Sequence, residues 1–84
     1  MPERKVGQIS HYFNEIGVAG IEVTGKIHVG DVVHIAGHTS DFTQTVDSIE
    51  IDHVHVDEAT AGDSIGVKLV DRARIHDKVF VVDA

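Results

Sequence analysis

Short runs of β-branched residues, separated by glycine, asparagine and aspartate, dominate the hydrophobic pattern of the chain. Apolar and polar positions alternate through Ile21-Glu22-Val23 and again through Ile65-Gly66-Val67-Lys68-Leu69. An alternation of period two predicts half-buried strands, because successive side chains of a strand face opposite sides. The apolar spacing of i, i+3, i+4 that is typical of an amphipathic helix occurs in no segment. The pattern therefore predicts an all-β chain.

Two Gly-Asp pairs mark points where strands begin. Gly30-Asp31 precedes the β-branched run at 32–35, and Gly62-Asp63 precedes the run at 65–69. Glycine adopts a positive φ without steric cost, and an aspartate side chain can hydrogen-bond the nearby backbone. Each pair therefore predicts a turn that leads into a strand.

Alternation and turn residues predict the other elements of the chain. In the first half they place a strand at 5–13 with Ile9, His11 and Phe13 on one face, a hairpin turn at 14–17 and a second strand at 18–23. A long strand follows at 42–51, bent by a bulge near Asp47-Ser48, with a continuation or separate strand at 52–56. The rest is a connection or single helical turn at 57–61, a charged loop at 71–77 and a last strand at 79–82.

Six or seven short strands with glycine-rich turns predict a small, closed, Greek-key-type β-barrel. One domain spanning residues 1–84 is expected, with a flexible N-terminus at 1–4. The alternation also predicts which apolar side chains are buried: Ile21, Val23, Val33, Ile35, Ile49, Ile65, Val67 and Val81.

The charge of the chain restricts the class of partner. Fourteen acidic residues outnumber seven basic ones, and no lysine or arginine occurs between Lys26 and Lys68. Nucleic-acid affinity comes mainly from cations that neutralise phosphates, so weak or no binding to free nucleic acid is expected. Any phosphate contact has to come from basic residues near the chain ends, which a closed barrel would bring together: Arg4, Lys5, Arg72, Arg74 and Lys78.

Cysteine is absent, which excludes disulfides and thiolate metal sites. The chain has no apolar run long enough to cross a membrane and no signal-peptide pattern at its N-terminus. The sequence therefore predicts a cytoplasmic protein without a membrane partner.

Motifs for catalysis are missing as well. The chain contains neither a G-x-x-x-x-G-K-[ST] phosphate loop nor a G-x-S-x-G nucleophile elbow. We therefore expect no enzymatic activity, no catalytic residue and no cofactor.

Two of the seven histidines are weak candidates for metal binding. His53 and His55 lie two residues apart, so on one strand they would project from the same face as a pair of ligands. No third ligand is fixed by the spacing. Exposed strand histidines are the first alternative, and a pH-sensitive interface is the second.

Three segments, taken in order, resemble a known family. Residues 18–23, 25–33 and 61–67 are similar to the β-barrel domain that follows the GTPase domain in translation factors such as elongation factor Tu. The resemblance implies a domain-two-like barrel standing without its GTPase. It also implies a non-enzymatic binding or adaptor module that engages a protein or ribonucleoprotein partner in translation or RNA metabolism.

The resemblance also suggests a binding residue. In elongation factor Tu the barrel lies against the aminoacylated end of tRNA, and Glu58 resembles the acidic element of the adjacent loop. The basic residues that can accompany that loop are missing, with Ala59 and Thr60 in their place. The candidate binding residues are therefore Glu58, which the resemblance suggests, and Arg72 and Arg74, which the distribution of charge suggests.

Two other functions remain open. One is a protein-interaction barrel outside translation, of the kind appended to some collagenase-like peptidases, and the other is a histidine-dependent metal-binding module. The identity of the partner and the oligomeric state are not predicted.

Overall fold

A computed structural model describes residues 2–83 of the chain. Ten strands run through this part: β1 (Glu3–Phe13), β2 (Val18–Val23), β3 (Lys26–His28), β4 (Val32–Ala36), β5 (Asp41–Thr45), β6 (Ile49–Ile51), β7 (Val54–Val56), β8 (Glu58–Thr60), β9 (Ser64–Lys68) and β10 (Lys78–Val82). The described residues include no helix, and hence none that could cross a lipid bilayer. The predicted all-β class is confirmed.

The strands form two antiparallel sheets. Eight of them make one sheet in the order β5-β4-β10-β1-β2-β9-β6-β7, while β3 and β8 pair separately as a ribbon. No ladder joins the outer strands β5 and β7 within residues 2–83, so the sheet is open. The prediction that the barrel is closed is therefore wrong.

The predicted long strand at 42–51 is divided because Val46 leaves the ladder. Its N–H donates to the carbonyl of Asp31, and its carbonyl accepts from the N–H of Gly30. The Gly30-Asp31 turn thus takes up the backbone groups that would have continued the strand. β5 and β6 are consecutive in the chain, yet β5 is at one end of the sheet order and β6 is next to the last strand at the other end.

One side chain bridges part of this opening. The Gln44 amide on β5 donates from Nε2 to the Lys68 carbonyl at 2.9 Å and accepts from the Val70 N–H at 2.7 Å. A primary amide offers a carbonyl acceptor and N–H donors, the same kinds of group that a peptide unit presents to a neighbouring strand. Gln44 therefore replaces a ladder between β5 and the end of β9.

All eight residues predicted to be buried are buried, so that prediction is confirmed. The largest fully buried side chains are isoleucines from five different strands: Ile9, Ile21, Ile27, Ile35 and Ile49. The core thus draws on both sheets, because Ile27 belongs to the β3–β8 ribbon.

A bulge in β1 changes which side chains face the core. The register of β1 against β2 shifts between Ile9 and His11. Ile9 is buried and Tyr12 packs against the core, whereas His11 and Phe13 are exposed. The predicted common face of Ile9, His11 and Phe13 is wrong, because one extra residue reverses the alternation beyond it.

Three other segments can be compared with expectation. Residues 58–60 form β8, paired with β3, where a helical turn was one of two expectations. Residues 54–56 form a separate strand, β7. Glu3 and Arg4, predicted to be flexible, belong to β1 and pair with Val82 and Val81, while Met1 lies outside the described residues.

Candidate interaction site

Three turns in the structure share one hydrogen-bond arrangement, and each leads into a strand. Asp31, Asp63 and Asp77 each accept, through a carboxylate oxygen, the N–H of the residue three positions earlier, at 2.8, 2.9 and 2.9 Å. The N–H of each aspartate donates to the carbonyl of that same earlier residue, at 3.1, 3.0 and 3.1 Å. These turns precede β4, β9 and β10, so the device predicted twice from Gly-Asp pairs occurs three times.

The third turn was missed because its aspartate follows a histidine. The residue before the aspartate has a positive φ in every case: 95° at Gly30, 97° at Gly62 and 78° at His76. A residue with a Cβ adopts this conformation at a cost of about 1–2 kcal/mol. The turn before β10 is therefore strained where the other two are not.

Burial holds the strained turn in place. Asp77 is only 5% exposed, and a Cβ added to Gly37 would overlap its carboxylate oxygen Oδ1. Two backbone hydrogen bonds also tie the turn to β1, from the Ile9 N–H to the Asp77 carbonyl and from the His76 N–H to the Ile9 carbonyl, both at 2.8 Å.

Beyond Ile9, the edge of β1 that faces β10 pairs with no strand among residues 2–83. β10 pairs with β1 only as far as Gln8, opposite Lys78. The segment at 70–76, between β9 and β10, passes alongside the rest of β1 without forming a strand. At the start of the segment, the Val70 N–H donates to Gln44 Oε1 at 2.7 Å. Two residues later, the Arg72 guanidinium donates from Nη2 to Asn14 Oδ1 at 3.1 Å.

A groove of about 470 Å³ lies between the second half of β1 and this segment. We call it the arginine groove, and define it by its lining residues: His11, Tyr12, Asn14, Arg72, Ala73, Arg74 and Ile75. This set contains two guanidinium groups and no carboxylate.

A second groove, of about 390 Å³, lies on the opposite side of the same segment. It shares Arg72 and Arg74 with the arginine groove but also carries the carboxylates of Asp41 and Asp71. The two grooves therefore share both arginines, and of these two linings only the second contains carboxylates.

Large apolar side chains are exposed in the chain segments next to the arginine groove: Ile75 lines it, and Phe13, Ile16 and Val70 lie within two residues of its lining residues in the sequence. Phe13, Ile16, Val70 and Ile75 are 48%, 61%, 77% and 52% exposed, and they make up four of the seven strongly exposed large hydrophobic residues described. The Phe13 ring meets the His11 ring edge-on, with centroids 4.4 Å apart. Exposed apolar groups rimmed by polar ones are typical of interaction sites.

The structure brings two of the three candidate binding residues together. Arg72 and Arg74 both line the arginine groove, and neither guanidinium group is within 4.0 Å of a carboxylate among residues 2–83. Arg4 lies elsewhere, paired with Asp83 at 3.2 Å, and the β1 backbone separates it from Tyr12 by roughly 26 Å. The expected single basic patch of the chain ends is therefore not formed, because opposite halves of β1 hold its members apart.

Glu58, the third candidate, belongs to the ribbon of β3 and β8. Its Oε2 lies 2.9 Å from His28 Nε2 and 3.8 Å from Lys26 Nζ. The carboxylate is thus engaged by its own ribbon, and the structure does not bring it to the arginines by any described contact.

The two candidate metal ligands do not share a strand. His53 occupies a two-residue turn between the paired residues Ile51 and Val54, and both turn residues have a positive φ, 51° at Asp52 and 65° at His53. His55 lies on β7, with Nε2 3.6 Å from a Glu50 carboxylate oxygen. The predicted common face is wrong, and residues 2–83 contain no cluster of three or more potential ligands.

A histidine that sequence analysis did not single out makes the closest ionic contacts. His34 Nδ1 lies 2.9 Å from Glu3 Oε1, and Nε2 lies 2.5 Å from Asp41 Oδ1. Hydrogen bonds to Glu3 and then to Asp41 raise the pKa of His34 above 6.5, its ordinary value, since only the imidazolium donates from both nitrogens. The three residues come from β1, β4 and β5, so no sequence spacing reveals them.

No protein-family model matches the chain. Two relatives match 93% of it: an uncharacterized protease of Methanocaldococcus jannaschii, at 30% identity over 79 residues, and a collagenase of Porphyromonas gingivalis, at 34% identity over 80 residues. The match covers 19% and 22% of those proteins, so the chain spans about a fifth of the length of these relatives.

The fold is that of a solved domain. The C-terminal domain of a Geobacillus thermoleovorans protein assigned to the U32 peptidases superimposes with a TM-score of 0.90 over 95% of this chain and 93% of that domain, at 19% identity. A selenomethionine variant of that domain gives a TM-score of 0.86 over 90% of this chain, at 20% identity.

These matches overturn the resemblance to translation factors. The similar proteins are proteases and a peptidase C-terminal domain, so the assignment to an elongation-factor-like barrel is wrong. The comparisons favour the alternative that was left open, a β-domain of the kind appended to peptidases.

Proposed function

We propose that this chain is a non-catalytic protein-interaction domain of the type attached to U32 peptidases, and that it docks a polypeptide at the arginine groove. The observation that carries the proposal is the extent of the match, which covers nearly all of this chain but about a fifth of each protease. In those proteases the matching region is thus a small part of the protein, and its fold in this chain is that of a separately solved C-terminal domain.

The surface supports a binding role. Large apolar side chains are rarely exposed together without a partner. Ile75, which lines the groove, is exposed, and so are Phe13, Ile16 and Val70, which lie within two residues of its lining residues in the sequence. Aromatic residues and arginine are also the types enriched where proteins associate. The two guanidinium groups of the groove keep donors available for a partner.

The charge supports a protein partner over free nucleic acid. The formal net charge is −7, and only two cations line the groove. A few phosphate contacts on a negative body give weak, salt-sensitive binding. We expect no tight complex with bulk tRNA or single-stranded RNA.

The partner we propose is the catalytic part of a U32-type peptidase. The test is isothermal titration of this chain into a U32-type polypeptide from which the region matching this chain has been removed. We expect saturable binding, and we expect the double variant R72A/R74A to bind more weakly than the wild type.

A matched control separates the effect of the two groove arginines from the effect of positive charge elsewhere on the surface. Lys5 and Lys68 are exposed cations outside the groove and form no ion pair among residues 2–83, so K5A/K68A should bind as the wild type does. Absence of saturable binding to the truncated peptidase would contradict the proposal, as would cleavage of gelatin or casein by this chain alone.

A further inference from the structure

We propose that the arginine groove accepts an extended acidic polypeptide segment, which adds to the open edge of β1 as a further strand. The inference rests on the proposed function and names the ligand chemistry of the same site. It follows from three features of the groove: its backbone edge, its cations and its apolar walls.

The backbone edge is open at Tyr12. The carbonyl of Phe13 accepts the Gly17 N–H at 2.8 Å and therefore points towards β2. Neighbouring residues of a strand direct their N–H and C=O groups to opposite edges. Those of Tyr12 consequently point away from β2 into the groove, where no backbone group of the 70–76 segment bonds them.

An added strand would satisfy this edge. Exposed strand edges pair with extended peptides through main-chain hydrogen bonds, and the pockets along the edge select side chains. The hydrogen bonds of Ile9 to His76 and Asp77 close the edge on one side of Tyr12, so the open length suits a short segment.

The cations of the groove have unused donors. The Arg72 guanidinium contacts a neutral group, Asn14 Oδ1, and a guanidinium carries five N–H donors. Asp71 accepts only the backbone N–H of Arg72, at 2.7 Å, and lines the opposite groove. An incoming carboxylate can therefore form the two-pronged hydrogen bond that arginine favours.

The lining of the groove also offers apolar surface, at Tyr12 on the strand and at Ala73 and Ile75 on the segment. An extended peptide presents alternate side chains on opposite faces. A segment in which acidic and apolar residues alternate therefore matches both the guanidinium groups and the apolar walls. Nucleic acid can offer phosphates to the guanidinium groups, but its backbone cannot extend a β-ladder.

The test uses fluorescently labelled eight-residue peptides that alternate glutamate and valine. The wild-type chain should bind this peptide by fluorescence anisotropy, and the counterpart with lysine in place of glutamate should not bind. A third peptide, N-methylated at every second residue, cannot donate to Tyr12 and should bind about tenfold more weakly, since a tenfold change corresponds to 1.4 kcal/mol and one hydrogen bond is of that order.

Protein variants assign the binding to the groove. R72A/R74A should lose about tenfold in affinity for the acidic peptide, while K5A/K68A should stay within about twofold. Far-ultraviolet circular dichroism of R72A/R74A should match the wild type, because both side chains are exposed.

The inference is overturned if the lysine peptide binds as well as the acidic one, if N-methylation has no effect, or if R72A/R74A binds normally. Tighter binding of a single-stranded RNA than of the acidic peptide overturns it as well. If the truncated peptidase binds this chain but is indifferent to both arginines, the inference fails and the docking role survives. If the acidic peptide binds and the truncated peptidase does not, the inference survives and the proposed docking to the peptidase fails.

Discussion

The turns before β4 and β9 differ from the turn before β10, although all three form the same hydrogen bonds. In the first two, glycine occupies the position of positive φ, and a Cβ there would meet nothing within 4 Å. In the third, His76 occupies it, and the aspartate is buried beneath Gly37. The first two turns are fixed by local chemistry, whereas the third is fixed by its surroundings.

The difference is instructive because the third turn ends the segment that forms the arginine groove. Backbone strain persists only where neighbouring structure maintains it, and strained residues concentrate at functional sites. The contacts of Asp77 and Ile9 keep Arg74 and Ile75 beside β1 despite the unfavourable φ of His76. The groove therefore depends on long-range contacts more than either glycine turn does.

Removal of the aspartate should give the largest difference between the turns. D77A removes a buried carboxylate and leaves the part-buried Arg74 N–H without its acceptor, and we expect a loss of about 2–3 kcal/mol. D63A acts on a half-buried turn and should cost about 1 kcal/mol. Urea denaturation of both variants measures the two values, and equal losses would contradict the comparison.

A Cβ at Gly37 should disturb only the third turn. G37A forces the buried Asp77 carboxylate to move, and overpacking of this kind costs about 1–3 kcal/mol. G66A is the matched control, since its Cβ would make an ordinary 3.5 Å contact with Val18.

A double-mutant cycle shows whether the carboxylate is the cause. In a D77A background the added methyl group has room, so G37A should cost much less there than in the wild type. Additive losses would mean that Gly37 is required for another reason.

Exchange of the residues at positive φ should have opposite effects in the two kinds of turn. G62A places a Cβ in the left-handed region and should destabilise by about 1–2 kcal/mol. H76G relieves the same conflict and should stabilise, by less than about 1 kcal/mol, because glycine loses more chain entropy on folding. Thermal unfolding of both variants decides, and a destabilised H76G would show that the imidazole itself holds the turn.

The smallest effect is expected at His34, which acts through its charge. The bonds to Glu3 and Asp41 raise its pKa in the folded state, so the folded chain holds the proton more tightly than the unfolded chain does. That contribution is complete below about pH 6 and is lost as pH rises through the raised pKa. H34Q should therefore melt below the wild type in acid, and the gap should narrow at alkaline pH. A gap that does not change with pH would contradict this account.

Sequence pattern was informative where a local rule governs the structure. Alternation identified buried residues such as Val33 and Val67, because side-chain period reports directly on burial. Gly-Asp identified two turns, because those two residues supply all that the turn requires. The motifs at 25–33 and 61–67 that suggested a translation factor contain these same turns, which β-domains of other families also need.

The arginine groove could not be predicted because no local rule creates it. The bulge after Ile9 turns Phe13 outwards, and the end of β10 pairing at Gln8 leaves the edge at Tyr12 open. The strained turn at His76 lacks the glycine that would have marked it. Arg72 and Arg74 were chosen for charge alone, and only the fold shows that they share one wall.

Hydrogen–deuterium exchange tests the central claim that a polypeptide docks at the arginine groove. The chain is measured alone and with the truncated U32-type peptidase, at matched concentration and pH. We predict slower exchange at Tyr12 and through residues 70–76, where an added strand supplies hydrogen bonds, and no change in β3 and β8. Protection confined to the ribbon around Glu58, with the groove unchanged, would contradict the account.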